Sequence, residues 1–160
     1  MYSLRKANFN DIEKLIELRI KFLKEIQDPL NNMEMKIFKK TLRDFFLEKM
    51  KSNEFISWLA ESDNIIIATS GCSFLQRPSS FLNITGKFAY IMNMYTIFAW
   101  RRKGIGSALL KKLLEEIKEK GMQVIALHTT PSGMPLYENY GFRRNDGDKE
   151  MILNLKREKK

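Results

Sequence analysis

The chain holds one cysteine, Cys72, and one histidine, His128. A lone cysteine excludes an intrachain disulfide, and the two residues together are too few for a structural zinc site of the Cys/His type. No metal is expected. No apolar run approaches the roughly 20 residues that span a bilayer, and residues 1–9 lack the apolar stretch of a secretory signal. The Gly-Lys-Ser/Thr core of a P-loop is missing, and so is the third glycine of a dinucleotide fingerprint. These absences point to a reducing, cytoplasmic compartment with no membrane partner.

What is present reads as ordinary globular material. The 160 residues are 44% apolar and 29% charged, enough for one domain with its own core. That domain is expected over residues 1–155, followed by a basic tail at 156–160. The formal net charge is +9. Most of it is spread along lysine-rich helices and reads as a solvated surface. No reading helix and no basic strand interleaved with aromatics is present, so no nucleic-acid partner is expected. One basic run differs from the rest: Arg101-Arg102-Lys103 leads into two glycines.

The apolar pattern sets the order of elements. Residues 2–7 read as a short strand. Asn10 is placed to cap a helix, with Glu13 completing a capping box, and Ile12, Leu15, Ile16, Leu23 and Ile26 follow at helical spacing. Asp28-Pro29 ends that helix. A second is expected over 33–50, with Ile37, Phe38, Leu42, Phe45 and Phe46 on its buried side. Residues 55–61 and 65–74 read as a hairpin around Ser62-Asp63-Asn64, and the aromatic-rich run 88–98 reads as a central strand. Ile105, Leu109, Leu113 and Ile117 recur every four residues in a helix over 104–120 that Gly121 closes. A strand over 124–128, a short helix over 132–140 and two last strands at 142–145 and 150–155 complete the order βααβββαβαββ. The fold class is α/β (α+β), a mixed central sheet of about seven strands with helices on both faces.

The segment from Asn93 to Ser107 carries the chemistry. A strand runs into a basic, glycine-containing turn that opens a long helix. The first turn of a helix has backbone N–H groups without internal partners, and the helix dipole favours an anion there. Gly104 and Gly106 remove side chains, so a phosphate can approach the backbone closely. Arg101, Arg102 and Lys103 add positive charge, and the Ser107 hydroxyl is one more donor. Downstream, Pro135-Leu136-Tyr137-Glu138-Asn139-Tyr140-Gly141-Phe142 forms a second element. Leu136 and Tyr140 share a helix face, Tyr137 projects differently, and Gly141 permits the reversal into the strand expected from Phe142. On spacing alone, Tyr137 reads as a packed tyrosine with a satisfied hydroxyl.

In this order and separation the two elements resemble the GNAT superfamily of N-acetyltransferases. The pattern Arg/Gln-x-x-Gly-x-Gly/Ala is matched by Arg101, Gly104 and Gly106, and Leu-Tyr-x-x-x-Gly-Phe by Leu136, Tyr137, Gly141 and Phe142. The resemblance implies a single-domain GNAT-like fold in which the fourth and fifth strands splay apart. It implies acetyl-coenzyme A as cosubstrate, with the pantetheine arm along the backbone of Tyr95, Thr96 and Ile97. The diphosphate would rest on the turn Arg101, Arg102, Lys103, Gly104, Ile105, Gly106 and Ser107. The implied reaction is direct attack of a primary amine on the thioester, with a backbone N–H near residues 95–97 stabilising the oxyanion and Tyr137 as the acid for the departing thiolate.

No carboxylate lies on the central strand, so Asn93 and His128 are the candidates for base or relay. Departures from the family pattern fall at Phe98 and Ala99, before Trp100, and at Thr130, seven residues before Tyr137. The acceptor, a small molecule or a peptide, is not specified by any motif. Met33, Met35, Phe38, Phe45 and Phe46 are candidates to line its pocket, although residues at this helical spacing are more often core. A catalytically silent acyl-coenzyme A sensor of the same fold is the alternative. Edge strands near the C-terminus are compatible with a homodimer.

Overall fold

A computed structural model of the chain describes residues 1–145, 147, 151 and 153. It divides into two compact units, Met1–His128 and Thr129–Lys160, each described by itself. In the first unit a five-stranded sheet runs in the order β1-β2-β3-β4-β5. The strands are β1 (Ser3–Lys6), β2 (Phe55–Ser62), β3 (Ile65–Gln76), β4 (Lys87–Thr96) and β5 (Val124–Leu127). The first four pair antiparallel, and β5 joins β4 in parallel after the crossover helix α3 (Ile105–Glu119). Helices α1 (Ile12–Ile26) and α2 (Asn32–Lys51) link β1 to β2. In the second unit α4 (Met134–Glu138) is a helix of 5 residues.

The period-2 alternation of β2 assigns the faces. Phe55 and Leu59 pack with Ile12, Leu15 and Ile16 of α1 and Phe46 of α2. Trp58 and Ala60 pack with Ile105 and Leu109 of α3. Helices therefore cover both faces of the sheet. Phe46 is fully buried, with ring centroids 5.5 Å from Phe45 and 5.2 Å from Phe55. Burial of such a ring contributes about 1.5–3 kcal/mol. The four-residue repeat of α3 lands wholly inside: Ile105, Leu109, Leu113 and Ile117 are all buried. No described helix is long and apolar enough to cross a membrane.

Five expectations change. The sheet has five strands among the described residues, not about seven. Residues 142–145, Phe-Arg-Arg-Asn, form no strand, because one apolar residue beside two cations gives no face to bury. The strand expected at 150–155 and the basic tail at 156–160 lie outside the described residues, apart from Met151 and Leu153, which form no strand. The first cap is Asn8 rather than Asn10: Asn8 Oδ1 accepts from Asn10 N, and Asp11 accepts from Asn8 N at the start of a 3-10 turn, Phe9–Asp11. Asp11 also takes two hydrogen bonds from Arg5, which reaches Glu61 as well, so the cap is tied into β1 and β2. In α2, Ile37 is exposed, since only the C-terminal half of that helix reaches the sheet side of the core. The central strand ends at Thr96, and Phe98 stands exposed in a 3-10 turn, Phe98–Trp100.

Candidate functional site

The site is built around the far half of β4. The ladder between β4 and β5 runs from Phe88↔Val124 to Ile91↔Leu127 and stops there, while β4 continues to Thr96. Among the described residues, 92–96 thus pair with β3 on one side and with no strand on the other. β4 also bulges at this point: Met92 faces Gly71 and Tyr95 faces Thr69, so Asn93 and Met94 share one residue of β3. Asn93 takes up the extra residue at φ 55 and is buried. A bulge twists and re-aims a strand just where pairing ends.

Beyond the bulge the pairing with β3 resumes. Ile97 N–H donates to Ile67 O at 3.0 Å, opposite one another in the continued register of Ala68↔Thr96. Alternation then turns the N–H and C=O of Thr96 away from β3, toward the side that β5 has left. The Thr96 carbonyl accepts from Arg101 Nε at 2.9 Å. Of the three residues expected to pair with a pantetheine arm, Ile97 has its N–H already taken by protein, and Thr96 presents its N–H to the fork.

The next turn is left-handed in two places. Arg102 has φ 61 and Gly104 has φ 77, each in the left-handed region. An added Cβ at Gly104 would meet no protein atom within 4 Å, so packing does not demand the missing side chain. What the glycine supplies is a left-handed residue and an open approach to the amides that begin α3. Arg102 and Lys103 are exposed beside it, and Lys103 Nζ lies 4.6 Å from the centre of the Trp100 ring. Left-handed backbone that points successive N–H groups outward makes a concave seat for an anion.

Arg101 behaves differently from its neighbours. Its guanidinium makes two hydrogen bonds to Glu25 at the end of α1, at 2.7 and 2.8 Å, and stacks 5.4 Å from the Tyr95 ring. Tyr95 donates its hydroxyl to the same carboxylate at 2.8 Å and packs 6.1 Å from Phe22. Arg101 holds the Glu25 carboxyl below the usual carboxylate range, and burial first, then Glu25, pushes the Tyr95 phenol up. Earlier on α1, Arg19 donates to Asn93 Oδ1, and on β4 and β5 the Tyr90 hydroxyl meets His128 Nδ1. Asn93 and His128 therefore stand on either side of the point where the ladder ends. The sequence pattern showed no sign of Arg19, Glu25 or Tyr90, which act across long stretches of chain.

Tyr137 lies in the second unit. It is buried, its ring meets Phe142 edge-on at 5.8 Å, and burial pushes its phenol up to about 12. Gly141 at φ 88 makes the reversal between the two rings, as its place in the sequence suggested. Of the candidate pocket residues, Phe45 and Phe46 belong to the core. Met33 is exposed, and Met35 lines a groove of about 320 Å³ between α1 and α2 with Ile16 and Ile20.

A family model for the acetyltransferase (GNAT) family matches residues 20–142. The chain belongs to the GNAT acetyltransferase family. A Clostridium acetobutylicum "predicted acetyltransferase with acetyl-CoA" superposes on this GNAT chain with a TM-score of 0.86 and 34% identity, covering 95% of this chain and 96% of that one. A rice "Probable glucosamine 6-phosphate N-acetyltransferase 2" is 32% identical over 83 residues, 52% of this chain; the match covers 48% of that relative's length, about half. The Arabidopsis thaliana glucosamine-6-phosphate N-acetyltransferase shares the fold at a TM-score of 0.69 and 17% identity, over 96% of this chain and 99% of that one. In this GNAT member the open glycine at the head of α3 and its two exposed cations fit a diphosphate, and the unpaired edge of β4 fits an extended amide-bearing arm.

Proposed function

We propose that the chain transfers the acetyl group of acetyl-coenzyme A to a primary amine. The observation that carries this reading is the fork: β4 loses its β5 partner after Ile91 and continues to Thr96, just ahead of the left-handed turn before α3. The amides at 102–107 would hold the diphosphate, and the edge of β4 would pair with the pantetheine arm. Arg101 supports this seat from behind, through Glu25 and Thr96, rather than by touching phosphate.

The amine nitrogen attacks the thioester carbonyl, the C–N bond forms, and the C–S bond breaks. Charge on the carbonyl oxygen is stabilised by an N–H preorganised on β4, for which Thr96 is the candidate. A phenol at about 12 stays protonated at neutral pH and is a weaker acid than an ordinary thiol near 8.5. Tyr137 therefore serves by hydrogen-bonding the departing sulfur, while the proton shed by the amine, relayed through His128 and its Tyr90 partner, completes the thiol.

The test is calorimetry with acetyl-coenzyme A, then a screen of amines, sugar amines included because of the rice relative's name. Tyr137→Phe should lower kcat on the order of 10²-fold and leave cofactor affinity alone. His128→Gln should lower kcat in the same assay. Equal turnover in either variant removes that residue's role, and binding without any turnover turns the reading into one of a sensor.

A further inference from the structure

Four arginines are half-buried among the described residues, Arg5, Arg19, Arg43 and Arg101, and three of them meet carboxylates. Arg5 is clamped by Asp11 and Glu61, Arg43 by Glu13, and Arg101 by Glu25. Arg19 has no such partner among the described residues. The acceptor given to its guanidinium is the neutral Oδ1 of Asn93. A guanidinium is a flat fork of five N–H donors, and one amide oxygen satisfies a small part of it. Withdrawal from water pushes the Arg19 pKa below its ordinary value, with the Tyr90 phenol acting in the opposite sense. Holding a cation half out of water without a counter-charge is unfavourable unless an anion arrives to complete it.

The place of this cation decides what the anion belongs to. Asn93 comes two residues after Ile91, the last residue of β4 paired with β5. Arg19 therefore stands at the fork, on the α1 face of the sheet, next to the bulge and to Tyr90. The diphosphate seat is at the other end of this segment, beyond Thr96, where Arg102, Lys103 and the helix amides already supply positive charge.

We propose that Arg19 receives an oxyanion, carboxylate or phosphate, carried by the acceptor amine, so that the enzyme selects anionic amines. This rests on the transferase reading proposed for the fork. The competing role for Arg19 is to pin the bulge, and a neutral donor could do that. Arg19→Gln keeps an N–H for Asn93 Oδ1 and removes the charge, so it separates the two roles.

The experiment tracks the Arg19 Nε–H resonance of the full chain by NMR, identified by its loss in Arg19→Gln. The chain is saturated with coenzyme A so that the cofactor's own phosphates are in place. Inorganic phosphate and acetate are titrated separately, which tells the two oxyanions apart. A saturable shift with one of them, together with weaker binding of that anion in Arg19→Gln by roughly tenfold or more, is expected. No saturable shift, or equal affinity in the variant, overturns the proposal. So does an acceptor from the amine screen that carries neither carboxylate nor phosphate. If coenzyme A itself fails to bind, the transferase reading falls, while the same titration on the cofactor-free chain still reports on Arg19.

Discussion

Arg101 and Arg19 flank the same stretch of β4, both at its contact with α1, and their charges are handled in opposite ways. Arg101 is locked by two hydrogen bonds to Glu25, a third to the Thr96 carbonyl, and a face on Tyr95. Arg19 has Asn93. A neutralised guanidinium with its donors spent is a strut: it fixes where the turn leaves the strand. A guanidinium left short of partners where the β4–β5 ladder ends is, on the proposal above, binding capacity held in reserve, at some cost in stability. The family motif marks the first of these residues and passes over the second.

The comparison can be broken by experiment. The largest stability effect should come from Arg101→Met, which removes the pair with Glu25 and the bond to Thr96. The pair is more than a third exposed, so solvent screening limits it, and the expected loss is about 1–2 kcal/mol in urea melts, together with weaker acetyl-coenzyme A binding. A smaller loss, below about 1 kcal/mol at neutral pH, is expected for Glu25→Gln. Its pH dependence gives the sharper check. The Glu25 carboxyl is held low by Arg101, so its contribution is present above the ordinary carboxylate range and disappears as pH falls through the lowered value. Variant and wild type should therefore converge in acid and separate on the way to neutrality. The smallest effect should be that of Arg19→Gln, within about 0.5 kcal/mol of wild type or more stable, because an incompletely paired charge is removed while an N–H is kept for the buried Asn93 Oδ1. A loss from Arg19→Gln as large as that from Arg101→Met would erase the distinction.

These contrasts also mark what could be read from residue order. The run Ile105, Leu109, Leu113, Ile117 announces α3 because a four-residue repeat has one structural meaning at that length, and all four residues are buried. Gly104 and Gly121 sit at positive φ at the two ends of α3, where glycine is the natural residue. The cap lies at Asn8, on the 3-10 turn ahead of α1, because Asn8-x-x-Asp11 and Asn10-x-x-Glu13 both read as capping boxes in sequence, and Asp11, held by Arg5, closes the first. Ile37 carries the same periodicity as Phe46 and yet is exposed, since periodicity names a face and not the partner that covers it. The bulge at Asn93 has no glycine or proline to announce it. The Glu25–Arg101 pair joins residues 76 apart in the chain, a distance no local pattern spans. The turn that opens α3 was thus legible, and the long-range contacts around it were not.

The central claim, a diphosphate seated on the turn before α3, is tested most directly by a matched pair of glycine variants. Gly104 and Gly121 have φ of 77 and 71, and an added Cβ at either would meet nothing within 4 Å. Gly104→Ala and Gly121→Ala should therefore lose similar stability, about 1–2 kcal/mol each. Calorimetric titration with acetyl-coenzyme A should show affinity falling roughly tenfold or more in Gly104→Ala and unchanged in Gly121→Ala. Equal affinity in the two variants would mean that no phosphate rests on those amides.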